Sequence, residues 1–136
     1  MIKIPRIYLA GGFHSTWQAK VKQACEAAGK SFLFIDPSTN GLRNPHNYTS
    51  WDMRGVELAD IIFAYMQSSN PGGYATAAEV GYARGLGGKS IIFVDDFGPE
   101  DESRSRYFEM VRQMSDYKFT GLDRAIVFLV ESFLDQ

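Results

Sequence analysis

One cysteine, Cys25, and two histidines are all this 136-residue chain has of the residues that most often staple a protein or bind a metal. A lone cysteine excludes an internal disulfide. His14 and His46 stand apart from any other ligand pattern, so no metal site is expected. Positive charge is also scarce: the net charge is −2 and the isoelectric point about 5.6. Phosphate backbones need a basic face, so nucleic acid is not an expected partner. No apolar run is long enough to span a membrane; the longest, "IIFAYM" and "SIIFV", suit buried strands. With no secretory signal at the first residues, a reducing cytoplasm is the expected setting. The chain lacks the G-x-G-x-x-G dinucleotide fingerprint, the G-x-x-x-x-G-K-[ST] phosphate loop and the G-x-S-x-G nucleophile elbow. No cofactor is therefore expected. Repeats, low-complexity tracts and linkers are missing as well, so residues 1–136 read as one domain.

What is present is a soluble globular composition, 45% hydrophobic and 22% charged. Strand-like and helix-like segments alternate. "RIYLA" (6–10) reads as a strand ending at Gly11-Gly12. Ser15 looks like the cap of a helix with Trp17, Val21, Ala24, Cys25 and Ala28 at helical spacing. "SFLFI" (31–35) is a second strand, and residues 37–48, with three Asn, two Pro and one Gly, form a loop. "TSWDMRGVELA" (49–59) reads as a short helix and "DIIFAYM" (60–66) as a strand covered on both faces. A helix over 74–86, a strand over 89–94, a helix near 103–115, a short strand at "YKFTG" and a final amphipathic helix over 122–134 complete the pattern. Ala125, Ile126, Leu129, Val130 and Phe133 mark the apolar side of that last helix. Such alternation predicts an α/β fold of the flavodoxin-like (Rossmann-like) three-layer kind: about five parallel strands with helices on both faces. Ligands of such sheets bind beyond the carboxyl ends of the strands. Here those ends carry Gly11, Gly12 and Phe13, then Asp36, then residues 67–73, then Asp95-Asp96.

Glu79 is the oddity in "GGYATAAEVGYARGLGG" (72–88). Its helical neighbours are Ala75, Thr76, Tyr82 and Ala83, so no local ion pair explains it. It is either a solvated charge near a helix N-terminus or a carboxylate held in a pocket, and local sequence leaves both open. Asp52 also has two readings. Thr49-x-x-Asp52 matches a capping box, which is locally the stronger reading; alternatively the carboxylate points at the strand-end cleft. Asp60, at the amino end of its strand, suits a turn or helix end away from the cleft. Tyr8, inside the first strand, would need a partner for its hydroxyl, and a cleft carboxylate would serve. Phe13 and Trp17 offer rings to a planar ligand, although the spacing of Trp17 with Val21 suits core. "NPGGYAT" (70–76) offers free amides to an anion, though Gly-Gly is more often a turn. Cys25 falls on an apolar stripe and reads as inert core.

"IYLAGGF" (7–13), "YTSWDMRGVELADIIFAYM" (48–66) and "GGYATAAEVGYARGLGGKSIIFV" (72–94), in this order and spacing, resemble the nucleoside 2-deoxyribosyltransferase family. The resemblance covers most of residues 6–94. It implies an enzyme that cleaves the N-glycosidic bond of a 2′-deoxynucleoside. Glu79 would be the nucleophile, Asp52 would assist the departing base and Tyr8 would orient Glu79. Substrate-binding roles would fall to Gly11, Gly12, Phe13, Trp17, Asn70, Gly72, Gly73 and Tyr74. The partners implied are a small nucleoside or nucleotide and a free nucleobase. A homo-oligomer is implied too, for whose contacts Tyr107, Phe108 and Tyr117 are available. One departure concerns the site: many family members carry an aspartate six residues before the glutamate, and related monophosphate N-hydrolases a serine, where this chain has Gly73. Asn70 or the amides of Gly72 to Tyr74 are the available substitutes. Three activities follow as alternatives: transfer to a second base, hydrolysis of a nucleoside or its monophosphate, and nucleotide binding without catalysis.

Overall fold

The computed structural model describes residues 3–13, 15–70 and 73–132. Five strands form a single parallel sheet: β1 (Arg6–Gly11), β2 (Leu33–Ile35), β3 (Ile61–Met66), β4 (Ser90–Asp95) and β5 (Tyr117–Thr120), in the order β2-β1-β3-β4-β5. The expected flavodoxin-like, three-layer α/β architecture is the one observed. β3 sits at the centre with all six residues buried, so its continuous apolar run reflects cover on both faces. Each fully buried Ile or Phe there contributes on the order of 1.5–3 kcal/mol.

The helices divide between the faces. α1 (Trp17–Ala27) and α6 (Leu122–Ser132) close one core with Ile7, Leu9, Phe63 and Val94. α2 (Pro45–Leu58), α3 (Tyr74–Leu86) and α5 (Glu109–Met114) close the other with Tyr8, Ala10, Ile62 and Phe93. α4 (Glu102–Arg106) lies just before α5. Among the described residues, no helix is long and apolar enough to cross a membrane. Strand order reverses direction between β1 and β3, which opens a crevice at their carboxyl ends beneath the starts of α2 and α3.

Several local expectations are corrected. α2 begins at Pro45 and not at Thr49. The Asn44 side chain accepts hydrogen bonds from the amides of His46 (2.9 Å) and Asn47 (3.3 Å), and Pro45 takes the first helical position. Asp52 therefore lies in the helix interior and caps nothing. Thr16, not Ser15, precedes α1 and makes no side-chain cap; Ser15 instead accepts from the Gln67 amide at 3.1 Å. The single helix expected near 103–115 is two, broken at Tyr107-Phe108, and Phe108 turns into the core beside Phe97. Asp60 sits at the amino edge, as its position suggested. There it accepts from the Arg6 amide and Lys3, both at 2.9 Å.

Candidate active site

Two helices bring two carboxylates to the crevice. Glu79 lies in the second turn of α3, whose buried face is Thr76, Val80 and Ala83. Asp52 projects from the middle of α2, one turn beyond Tyr48 on the same side. Both line one cavity of about 450 Å³, together with Gly11, Gly12 and Phe13 after β1 and Asn70 and Gly73 after β3. Pro37, Asn40, Leu42 and Tyr48 form the opposite wall, and Ala75 and Thr76 flank Glu79.

Tyr8 lies beneath the pair, fully buried in β1. Its hydroxyl donates to Glu79 Oε2. α2 can approach this ring because residue 55 is glycine: a Cβ there would stand 2.8 Å from Tyr8 Cε2 and 2.9 Å from Ile35 Cγ2. A glycine inside a helix costs about 1 kcal/mol relative to alanine, and here it lets the helix seat itself on the phenol.

The electrostatics follow from this burial. Desolvation pushes the Glu79 carboxyl up to about 7; the Tyr8 hydrogen bond opposes the rise and the Asp52 charge adds to it. Burial also raises Asp52, and the nearby Tyr8 hydroxyl partly offsets that. The one phenolic proton goes to Glu79. Burial first, then the Glu79 charge, raises the Tyr8 phenol far above its ordinary value, so it stays a donor. Asp52 Oδ1 is buried and has no hydrogen-bond partner among the described residues. A buried carboxylate oxygen left without a donor is costly, and the residue that carries this one lines the cavity. No cation lines the cavity among the described residues, and no group of three or more His, Cys, Asp or Glu side chains there could hold a metal ion.

The other expected residues are placed as follows. Gly11, Gly12, Phe13, Asn70 and Gly73 line the cavity. Trp17 does not: it is buried in the α1 core against Phe63 and Tyr65, and its indole donates to the Gly12 carbonyl at 3.0 Å. It supports the β1 loop from behind. Tyr74 points away from the cavity and is 83% exposed. Gly72 and His14 lie outside the described residues. Gly73 has φ +87, and a Cβ on it would meet the Met66 Cε at 2.1 Å. The family's usual aspartate or serine would be strained at this φ and would have to displace the end of the Met66 side chain; what the position offers is backbone. Sequence reasoning missed Tyr48, Leu42, Asn40 and Gly55. The four-residue spacing of Tyr48 and Asp52 and the glycine inside an otherwise helical run were the signals for two of them.

Fold and site together define a doubly wound α/β domain with two partly desolvated carboxylates in the crevice where strand order reverses. The family model "Nucleoside 2-deoxyribosyltransferase" matches residues 7–111, and the chain belongs to that family. Membership makes it an enzyme of the pentosyltransferase or N-glycosidase kind. Among solved structures it is similar to a 2-deoxyribosyltransferase from Leishmania mexicana (22% identity, 96% of this chain and 99% of that one, TM-score 0.73). It is similar also to a 2-deoxyribosyltransferase from Bacillus psychrosaccharolyticus (20% identity, 89% and 90%, TM-score 0.66). A third likeness is to a CMP N-glycosidase from Clostridium botulinum (16% identity, 91% and 97%, TM-score 0.56). At these identities the likenesses speak for the fold. No curated protein sequence matches.

Proposed function

We propose that the protein transfers the 2-deoxyribosyl group of a deoxynucleoside to a second base through a covalent ester on Glu79. The observation that carries this reading is the convergence of Glu79 and Asp52 on one cavity, with Tyr8 hydrogen-bonded to the first and the second left with an unpartnered oxygen. A Glu79 oxygen bonds to C1′ as the C1′–N bond breaks, and the bonding pair leaves on the base nitrogen. Asp52, on the same cavity, relays a proton from water to the departing base. A nitrogen of the incoming base then attacks C1′, the ester bond returns its electrons to Glu79, and Asp52 takes up the proton the new base releases. Two displacements retain the anomeric configuration. Phe13 and Tyr48 are partly exposed rings on the cavity wall and suit the faces of a base. Two carboxylates, with no cation on the lining among the described residues, favour an uncharged nucleoside over a monophosphate, whose charge they would repel. A homo-oligomer fits the exposed Tyr74, Tyr107 and Met110, and sedimentation would test it.

The test is to incubate the protein with a deoxynucleoside and a different free base and to separate the products by chromatography. A new nucleoside is the expected result. Free sugar without exchange would replace transfer with hydrolysis, and neither product would reduce the site to a binding pocket.

A further inference from the structure

Arg104 does not line the cavity, yet it grips the segment joining β3 to α3. Its Nη1 donates to the Ser68 carbonyl at 2.6 Å and its Nη2 to the Asn70 carbonyl. Nη2 also reaches the Met66 sulfur at 3.8 Å. The guanidinium lies over the Phe97 ring, 5.3 Å from its centroid, and 6.0 Å from that of Phe108. An irregular segment leaves its carbonyls without ladder partners, and a planar fork can satisfy two of them at once. Taking both Ser68 and Asn70 fixes the curvature of the chain between them.

The same seat borders the start of α3. Met66 and Phe108, which flank the guanidinium, are the side chains a Cβ on residue 73 would strike, at 2.1 Å and 3.3 Å. From the other side, Asp96 accepts from the Ser68 amide. Ser68 is thus held at both its amide and its carbonyl, and Asn70, 8% exposed and held at its carbonyl, belongs to the cavity lining with Glu79. If Asp52 handles the base and Glu79 takes C1′, Asn70 is a polar side chain on the same lining that has neither role.

Building on the transferase reading above, we propose that Arg104 is a positioning residue for substrate: through the Ser68 and Asn70 carbonyls it holds Asn70 in the orientation that receives the sugar. A lysine cannot replace it, because one ammonium cannot bridge both carbonyls as a flat fork.

The test combines steady-state kinetics on a deoxynucleoside and a second base with amide hydrogen exchange at residues 67–70, for Arg104→Ala, Arg104→Lys and Phe97→Leu. Both Arg104 variants are expected to raise KM about tenfold, roughly the value of one charge-assisted hydrogen bond. kcat is expected to stay within about threefold of wild type, exchange at 67–70 to quicken, and sheet exchange to stay unchanged. Added guanidinium ion should lower the KM of Arg104→Ala but not that of Arg104→Lys. Phe97→Leu keeps the donors but frees the plane, so it should raise KM less. Folded Arg104 variants with wild-type KM and exchange, or Arg104→Lys behaving as wild type, would overturn the proposal. If the Arg104 variants do not fold, an unchanged KM in Phe97→Leu overturns it. An inert wild type would count against the enzymatic reading alone, and the exchange measurement would then decide on the loop.

Discussion

The two ends of the central strands treat carboxylates in opposite ways. At the amino edge, Asp60 gains a lysine at 2.9 Å and a backbone amide at 2.9 Å, and although burial alone would raise its carboxyl, these partners hold it below the ordinary value. At the carboxyl edge, Glu79 and Asp52 share a cavity with no cation on its lining among the described residues, and burial raises both carboxyls. Where the fold uses an acid as structure, it supplies donors. Where it leaves acids short of donors in a cavity, the arrangement suits the substrate role proposed above.

The largest expected effect follows from removing the acid that this arrangement strains most. Glu79→Gln should lower turnover by about 10³-fold or more, as loss of a nucleophile does. It should also stabilise the fold at neutral pH. The folded protein keeps a proton on Glu79 between about pH 4.5 and about 7, a window in which the unfolded chain has released it. Folding therefore takes up a proton there, and stability falls as pH rises from about 4.5 to about 7. Asp60 works with the opposite sign: its contribution is present above its unfolded value and is lost as pH falls through the lowered folded one. Melting temperatures of wild type and Glu79→Gln from pH 5 to 8 would check this. The curves should diverge as pH rises, with the variant the more stable at pH 8. Over the same range kcat/KM of the wild type should rise through about pH 7 as the nucleophile ionises. Parallel melting curves would mean that Glu79 is solvated like any surface acid.

A smaller effect tests the proposed role of Asp52. Asp52→Asn should lower kcat about 10²-fold, the usual contribution of a positioned proton donor, while the melting temperature holds or rises because a desolvated charge is removed. A cap would behave the other way, with kcat intact and stability reduced by about 1 kcal/mol.

How far these roles could be read from the residues alone varies with how local the cause is. The alternation of strand and helix, the covered central strand and the cationless surroundings of Glu79 are properties of short windows, and they were legible. The placement of Asp52 was not, because it depends on where α2 begins. Asn44-Pro45 is a complete helix-start signal, but it sits in a stretch whose Asn, Pro and Gly content reads as loop, and Thr49-x-x-Asp52 imitates a later start. Trp17 was ambiguous because an aromatic after a glycine loop suits a ligand face and a core equally; packing against Phe63 and Tyr65 settles it. At Gly73 the residue looked like a lost acid. Only the left-handed backbone and the approach of the Met66 side chain show that a side chain there would be strained.

The smallest effect belongs to the amino edge. Asp60→Ala removes an ion pair whose lysine is 72% exposed, and such pairs are worth about 0–1 kcal/mol. It also leaves the Arg6 amide without its carboxylate, which adds on the order of 1 kcal/mol if water does not replace it. The melting temperature should fall slightly, the loss should shrink as pH falls through the lowered Asp60 value, and kcat and KM should not move. Asp60→Asn can still accept from the Arg6 amide, so it should lose less. A change in turnover in either variant would mean that the two edges of the sheet are coupled, with strand β3, which runs from Asp60 to the segment carrying Asn70, as the connection.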